Sequence, residues 1–132
     1  CGRRLLIAED EPILRITMAE ALEKEGWVVD VAEDGQKAMQ IFEQHLHDVV
    51  LTDLLMPKMD GREVLRRVKA LQPETTVVIV TAHGTVESAV DAMRQGAADF
   101  ISKPFSIVQL LLRLSNVCSF KMLREQNIRL QE

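Results

Sequence analysis

The stretch Val49-Val50-Leu51-Thr52-Asp53-Leu54-Leu55-Met56-Pro57 decides the fold of this chain. Its apolar and β-branched residues are typical of a short strand that is covered on both faces of a sheet. Asp53 is a lone carboxylate at the end of that strand, and Pro57 followed by Asp60-Gly61 then turns the chain. Taken alone, Asp53 is equally readable as the end of a strand or as a binding group, because ligands of open α/β sheets bind beyond the carboxyl ends of the strands.

The composition is that of one ordinary globular domain. The 132 residues are 47% hydrophobic and 27% charged, and a chain of this length can bury a substantial core. No apolar run approaches the roughly 20 residues of a membrane span, and no secretory signal pattern opens the chain. The net charge of −4 argues against direct nucleic-acid binding by these residues. Cys1 and Cys118 have neither disulfide-framework nor metal-site spacing, so a cytoplasmic location is expected.

Strand and helix patterns alternate five times along the chain. Short apolar or β-branched runs predict strands at Arg4–Ala8, Trp27–Val31, Asp48–Thr52, Thr76–Thr81 and Asp99–Ile101. Apolar residues at helical spacing predict helices from Pro12 to near Gly26, over 38–46, 61–71 and 85–94, and from Ser106 to the end. Because parallel strands require crossover connections, this alternation predicts an α/β fold with a parallel sheet and helices on both faces.

Charged and hydroxyl side chains follow several of the predicted strands. In a parallel sheet the carboxyl ends of the strands meet at one edge, which brings together Glu9-Asp10, Asp53, Thr81 and Lys103. Clustered carboxylates raise one another's pKa unless a cation holds them. Hard oxygen ligands with positions left open for water and phosphate suit Mg²⁺, and Mn²⁺ can take its place. The sequence therefore predicts a magnesium site at this edge.

The same residues suit phosphoryl chemistry on a protein carboxylate. Asp53 beside a divalent cation can attack phosphorus and form an aspartyl-phosphate. Lys103 would then offer a positive charge to one phosphoryl oxygen, and the Thr81 hydroxyl would donate to another. The product adds about −1.5 to −2 charge units, which is enough to draw Thr81 and its loop inward. This arrangement favours a switch over a metabolic catalyst.

At these positions the chain resembles a response-regulator receiver domain of bacterial two-component signalling. The resemblance covers residues 4 to about 118 and rests on four pieces: Glu9-Asp10, Asp53 followed by Met56-Pro57-Lys58-Met59-Asp60-Gly61, Thr81-Ala82, and Lys103-Pro104-Phe105. It implies a flavodoxin-like (βα)5 fold, a doubly wound parallel sheet with strand order 2-1-3-4-5 and an extended C-terminal helix.

The resemblance also implies specific roles at the site. A sensor histidine kinase would phosphorylate Asp53. Asp10 would bind Mg²⁺ directly and Glu9 through water, with the backbone carbonyl of Leu55 completing the protein ligands. The Lys103–Pro104 peptide bond is a candidate for the cis form. At this position the family more commonly has two consecutive Asp residues, whereas this chain has Glu9 followed by Asp10. Glu9 keeps the negative charge but has a longer side chain.

Each of these residues also has a plainer interpretation. Asp10 could cap the following helix, and Thr81 could be only a β-branched strand end. Lys103 could be a surface lysine. Phe100 occupies the position whose aromatic ring turns inward when the family is activated, so it is a candidate switch residue together with Thr81. The interpretation of Phe100 as a plain core aromatic has nearly equal weight, because Phe lacks a hydroxyl group that could hydrogen-bond to water in an exposed position.

The C-terminal helix predicts a connection to something else. We assign residues 3–118 to the receiver domain and 119–132 to a helical linker that starts a coiled coil toward an output domain. Phe120, Leu123, Asn127 and Leu130 follow the 3-4-3 spacing of a coiled-coil seam. The helix resembles the linker of the NtrC class of activators, in which an AAA+ ATPase acts on sigma-N RNA polymerase. This implies a homodimer through the face of the fourth helix, fifth strand and fifth helix and through the C-terminal helix, with DNA and polymerase contacts made by other domains.

Two other functions remain open. A stand-alone phosphorelay receiver would use the same site without an output domain. A phosphatase that turns over through an aspartyl-phosphate would be an enzyme, but haloacid-dehalogenase-type hydrolases need a second Asp two positions after the nucleophile, where this chain has Leu55. A module that binds partners without being phosphorylated fits poorly with the complete set of acid, Thr and Lys side chains. The sequence therefore favours a signalling domain over an enzyme.

Overall fold

A computed structural model describes residues 4–56, 58–82 and 86–117 of the chain. Strands and helices alternate in it as β1 Arg4–Ala8, α1 Pro12–Lys24, β2 Val28–Ala32, α2 Gly35–His45, β3 Val49–Asp53, α3 Gly61–Leu71, β4 Thr76–Ala82, α4 Val86–Arg94 and β5 Asp99–Lys103. A further helix, α5, is described over residues 107–117. Cys118 and the predicted linker at 119–132, with its coiled-coil seam, lie outside the described residues.

The five strands form a parallel sheet in the order β2-β1-β3-β4-β5. The prediction of a flavodoxin-like fold with strand order 2-1-3-4-5 is therefore confirmed. The register brings the expected site residues to one end of the sheet. Asp53 pairs with Val80 of β4, and Lys103 pairs with the residue that follows Thr81.

Alternate residues of the strands point to two separate cores, because successive side chains of a strand face opposite sides of a sheet. Leu6, Val50 and Ile79 belong to the core that α2 and α3 cover. Ile7 and Leu51 belong to the core that α1 and α5 cover on the other side. The central strand β3 is buried along its whole length, as its apolar sequence predicts.

Some element bounds differ from the predicted ones, and local hydrogen bonds explain two of them. The second helix begins at Gly35 rather than Ala38, because the Asp34 side chain caps it by accepting a hydrogen bond from the Lys37 N–H at 2.8 Å. The fifth strand continues past Ile101 to Lys103, because residues 102 and 103 pair with the end of β4. These two extra residues of β5 make Lys103 part of the sheet rather than part of the following loop.

The fifth helix starts at a reciprocal cap. The Ser106 hydroxyl accepts from the Gln109 N–H at 3.1 Å, and the Gln109 side chain accepts from the Ser106 N–H at 3.0 Å. This pairing satisfies backbone donors that a helix start leaves open. None of the helices within the described ranges has the length and apolar character needed to cross a membrane.

Candidate functional site

Asp53 is the last residue of β3 and is only 5% exposed. Its two carboxylate oxygens have different partners. Oδ1 accepts from the backbone N–H of Leu55 at 3.2 Å, and Oδ2 accepts from Lys103 Nζ at 2.8 Å. The carboxylate is therefore held by its own loop on one side and by strand β5 on the other.

Three carboxylates meet at this end of the sheet. One oxygen each from Glu9, Asp10 and Asp53 lies within 4.8 Å of the other two. Glu9 and Asp53 are buried, whereas Asp10 is exposed. Like charges this close repel unless a cation neutralises them, and carboxylate oxygens are the ligands that Mg²⁺ prefers. These three residues lie close together, as the sequence predicts.

Glu9 is the most constrained member of the cluster. Burial raises the pKa of Glu9 to about 7, against the opposing effect of Lys103. Its Oε1 lies 2.8 Å from Lys103 Nζ, yet it accepts no well-aligned hydrogen bond from the described residues, so this contact is an ion pair by distance alone. Oε2 accepts from the Glu11 N–H at 3.2 Å. A fully buried carboxylate with an incompletely satisfied oxygen fits a role beside a cation.

Lys103 lies between two acids. Its Nζ is 2.8 Å from an oxygen of Glu9 and 2.8 Å from an oxygen of Asp53. Burial lowers the pKa of Lys103, but the hydrogen bond to Asp53 and the negative charges of the two acids outweigh it, so the pKa lies above its ordinary value. The ammonium therefore stays charged at neutral pH, and the interpretation of Lys103 as a plain surface lysine is wrong.

The two candidate switch residues lie on neighbouring strands. Thr81 is 2% exposed near the end of β4, where it pairs with Ser102 of β5. Phe100 lies on the edge strand β5, is 36% exposed and belongs to neither core. The alternative that Phe100 is a core aromatic is therefore wrong. The next residue, Ile101, points to the opposite face of β5 and belongs to the core that α1 and α5 cover.

The loops around the site have further structural features. The Lys103–Pro104 peptide bond is cis, as expected. Met56 and Met59 pack against the core beside α2 and α3. The Leu55 side chain is 66% exposed, and its N–H contacts Asp53.

Arg15 supports the site although nothing in the residue pattern singles it out. Its guanidinium donates from Nη1 to the backbone carbonyl of Glu9 at 2.8 Å. This hydrogen bond ties the turn that carries Glu9 and Asp10 to the first helix. No spacing rule could have found it, because the contact joins a side chain to a backbone oxygen six residues earlier.

An apolar groove of about 720 Å³ lies beside the acidic cluster. The start of α1 lines one wall, and the β5–α5 connection with Lys103 lines the other. Ile13, which is 82% exposed, and the half-buried Phe105 contribute apolar surface to it. The groove leaves apolar surface open next to the acidic cluster.

Comparison with known families agrees with this geometry. A family model described as the response regulator receiver domain matches residues 5–115. The chain belongs to this family. The receiver domain is a signalling domain of two-component systems, so the sequence resemblance is confirmed.

Curated relatives carry the names of regulatory proteins, and several are named as transcriptional regulators. The receiver chain is 40% identical over 111 residues to the transcriptional regulatory protein TrcR of Mycobacterium tuberculosis, covering 84% of this chain and 43% of TrcR. It is 33% identical over 123 residues to the regulatory protein AtoC of Escherichia coli, covering 93% of this chain and 27% of AtoC. The chain thus spans less than half the length of these two relatives.

Comparison with solved structures finds similar folds in proteins of the same family. NtrX from Brucella abortus superposes with a TM-score of 0.91 at 30% identity, over 98% of this chain and 30% of NtrX. A response regulator receiver domain protein from Clostridium thermocellum superposes with a TM-score of 0.85 at 31% identity, over 92% of this chain and 98% of that protein. The similarity to AtoC and NtrX agrees with the expected likeness to the NtrC class.

Proposed function

We propose that this receiver domain accepts a phosphoryl group on Asp53 from a sensor histidine kinase, in the presence of Mg²⁺, and thereby switches a transcriptional regulator. The observation that carries the proposal is the position of the Asp53 carboxylate. It lies in one cluster with two other acids and within 2.8 Å of the Lys103 ammonium. A carboxylate nucleophile, a cation site and a fixed positive charge are the parts that phosphoryl transfer to aspartate needs.

The donor set fits a divalent cation. Glu9, Asp10 and Asp53 would hold the ion, with the Leu55 carbonyl as a further candidate ligand. When bound, Mg²⁺ or Mn²⁺ would neutralise negative charge on the phosphoryl oxygens. Asp10 is the exposed member of the set, so it is the ligand that an ion arriving from solvent meets first.

The residues of this chain supply the remaining chemistry. An oxygen of Asp53 attacks phosphorus as the bond from phosphorus to the imidazole nitrogen of the kinase breaks, and the leaving imidazole takes a proton from solvent. Lys103 exchanges its contact with the carboxylate for one with a phosphoryl oxygen. The Thr81 hydroxyl, which is at the end of the adjacent strand, donates to another oxygen.

The groove beside Asp53 supports a protein as donor. Its walls carry the exposed Ile13 together with Phe105, and Lys103 lies at its inner end. A kinase domain that packs on this apolar surface would bring its phosphohistidine to the acidic cluster. Proteins bury such exposed apolar side chains in their interfaces.

The face formed by α4, β5 and α5 would transmit the phosphorylation state of the domain to a partner. Apolar side chains are exposed on all three elements: Val90, Met93, Phe100, Val108 and Leu112. We propose that phosphorylation reshapes this face through Thr81 and Phe100 and so changes a homodimer. The similarity to NtrX and AtoC supports an NtrC-class regulator, in which other domains contact DNA and sigma-N RNA polymerase in the cytoplasm.

Acetyl phosphate tests the phosphoacceptor directly. In the presence of Mg²⁺, each chain should gain a single phosphoryl group that hydroxylamine removes, and mass spectrometry should place it on Asp53. The Asp53→Asn variant should remain unlabelled, and removal of Mg²⁺ with EDTA should prevent labelling of the wild type. Labelling of Asp53→Asn at the wild-type rate would refute the assignment, and many turnovers on a small phosphate ester would favour a phosphatase.

A further inference from the structure

Gly35 makes an unusually close backbone contact at the start of α2. A Cβ atom at this position would lie 2.0 Å from the backbone oxygen of Met59 and 2.8 Å from its carbonyl carbon. Real side chains do not tolerate such distances, so only glycine fits without a shift of the backbone. The first turn of α2 therefore packs directly against the backbone of residue 59.

Met59 belongs to the loop that follows the phosphoacceptor. This loop joins β3 to α3 and is closed at its far end by Gly61, whose N–H donates to the Leu54 carbonyl at 2.8 Å. A Cβ at Gly61 would lie 2.2 Å from the backbone oxygen of Asp53. The loop thus contacts the end of β3 through Gly61 and contacts α2 through Met59.

The α2 side of this contact is held firmly. Asp34 is buried and caps α2 through the Lys37 N–H, while its other carboxylate oxygen lies 3.7 Å from Lys58 Nζ in the same loop. Lys58 itself has a φ of 70°, a left-handed conformation that is costly for a residue with a side chain. Packing by α2 supplies a reason why the loop keeps this conformation.

We infer that Gly35 is a positioning residue for the phosphoacceptor loop, because the contact of α2 with Met59 fixes this part of the loop between β3 and α3 and hence the place of the groups around Asp53. The inference rests on the proposed function, since the loop carries the Leu55 N–H and the candidate carbonyl ligand. Gly35 touches no reacting atom. It acts through Met59, at the opposite end of the loop from Asp53.

The test compares two glycine-to-alanine variants. Gly35→Ala places a methyl group into the Met59 carbonyl, so the loop has to move. We expect Mg²⁺ affinity, measured by calorimetry, to fall about tenfold, which corresponds to about 1.4 kcal/mol. The rate of labelling by acetyl phosphate at subsaturating Mg²⁺ should fall in parallel, with partial recovery at high Mg²⁺.

Gly26→Ala is the matched control. Gly26 has a φ of 98°, and a methyl group added there would meet nothing within 4 Å, so this variant suffers backbone strain without touching the loop. It should lose stability to urea while keeping wild-type Mg²⁺ affinity and labelling rate. A loss of stability alone therefore cannot explain an effect that is confined to Gly35→Ala.

Two outcomes would overturn the inference. One is a folded Gly35→Ala that binds Mg²⁺ and is labelled like the wild type. If that variant does not fold, NMR of the wild type decides: Mg²⁺ should shift the amide resonances of Gly35 and Met59 and leave that of Gly26 in place, and an unmoved Gly35 contradicts the inference. Failure of the wild type to bind Mg²⁺ at all would instead count against the proposed function.

Discussion

Lys103 Nζ and Asp53 Oδ2 lie 2.8 Å apart although 50 residues separate them in the chain. Their pairing follows from the sheet, because β3, β4 and β5 are neighbours in register and both side chains arrive at the same end. The ammonium also contacts Glu9 on β1's side of the site. One cation thus balances two buried acids, and this relationship makes its removal informative.

Replacing Lys103 should slow phosphorylation without preventing it. Lys103→Met keeps the length of the side chain but removes the charge that would stabilise the phosphoryl oxygens. Removal of one preorganised donor that stabilises developing negative charge costs about 10² to 10³ in rate in enzymes, so we expect a fall of about 10² in labelling by acetyl phosphate. The rate of incorporation at saturating Mg²⁺ is the measurement.

Lys24→Met is a suitable control for this charge change. Lys24 is exposed in the last turn of α1, so its loss changes the net charge equally without approaching the site. Equal labelling rates for Lys103→Met and Lys24→Met would show that the ion pair with Asp53 has no part in the reaction.

Mg²⁺ should stabilise the fold, and Asp10 should be needed for it. An ion that binds only the folded state adds about 2.7 kcal/mol to the free energy of unfolding at a concentration of about 100 times its dissociation constant. Asp10→Asn should remove most of this gain. The same change should also stabilise the metal-free protein slightly, because it removes one of three carboxylates whose oxygens lie within 4.8 Å of one another.

Urea unfolding with Mg²⁺ and with EDTA measures both effects. Glu20→Gln removes an exposed acid from the same helix that follows Asp10 and should leave the Mg²⁺ response unchanged. If Asp10→Asn responds to Mg²⁺ as strongly as Glu20→Gln does, Asp10 is not a ligand.

His47 should make the fold sensitive to mild acid. It is fully buried, its Nε2 lies 2.7 Å from Asp30 Oδ2, and its Nδ1 has no hydrogen-bond partner among the described residues. Burial lowers the pKa of His47 below 6.5, although Asp30 acts to raise it. The unfolded chain then binds more protons than the folded one, so stability falls as the pH drops below about 6.5 toward the lowered pKa of the folded state.

The contribution of His47 reaches at most about 1.4 kcal/mol per pH unit within that window. His47→Gln can still donate to Asp30 but does not titrate, so its loss of stability between pH 7.5 and 5.5 in urea should be smaller than that of the wild type. His45→Gln replaces an exposed histidine whose ring lies edge-on to that of His47, and it should keep most of the wild-type pH dependence because the minor effect of His45 on the pKa of His47 comes after burial and Asp30. Identical pH dependence for both variants and the wild type would contradict a buried neutral His47.

The sequence predicted the strands and the convergence of charged residues because both depend on short patterns. Val49–Asp53 reads as a buried strand from its residue types alone, and parallel order places Thr81 and Lys103 near Asp53. The strand order itself came from the resemblance to the family. The chemistry of the site could be inferred as soon as its members were placed at one edge.

Contacts between elements could not be predicted in the same way. The packing of Gly35 on Met59 and the hydrogen bond from Arg15 to the Glu9 carbonyl depend on backbone positions that no residue pattern encodes. The sequence was equally compatible with Phe100 as a core aromatic or as a switch aromatic. Residue alternation assigns Phe100 to one face of β5, but it does not show how much of that face is covered in the fold. The contact between half-buried Asp30 and buried His47 likewise joins β2 to the connection that precedes β3.

Strand β5 carries Lys103 at its end and Phe100 three residues earlier, about 10 Å away along an extended backbone. Strand β5 pairs with β4 from Asp99 to Lys103. We expect a change at the Asp53 carboxylate, transmitted through Lys103, to alter the position of β5 and with it the aromatic ring on the outer surface. Phosphorylation near one end of the strand would then change the surface that a partner molecule contacts.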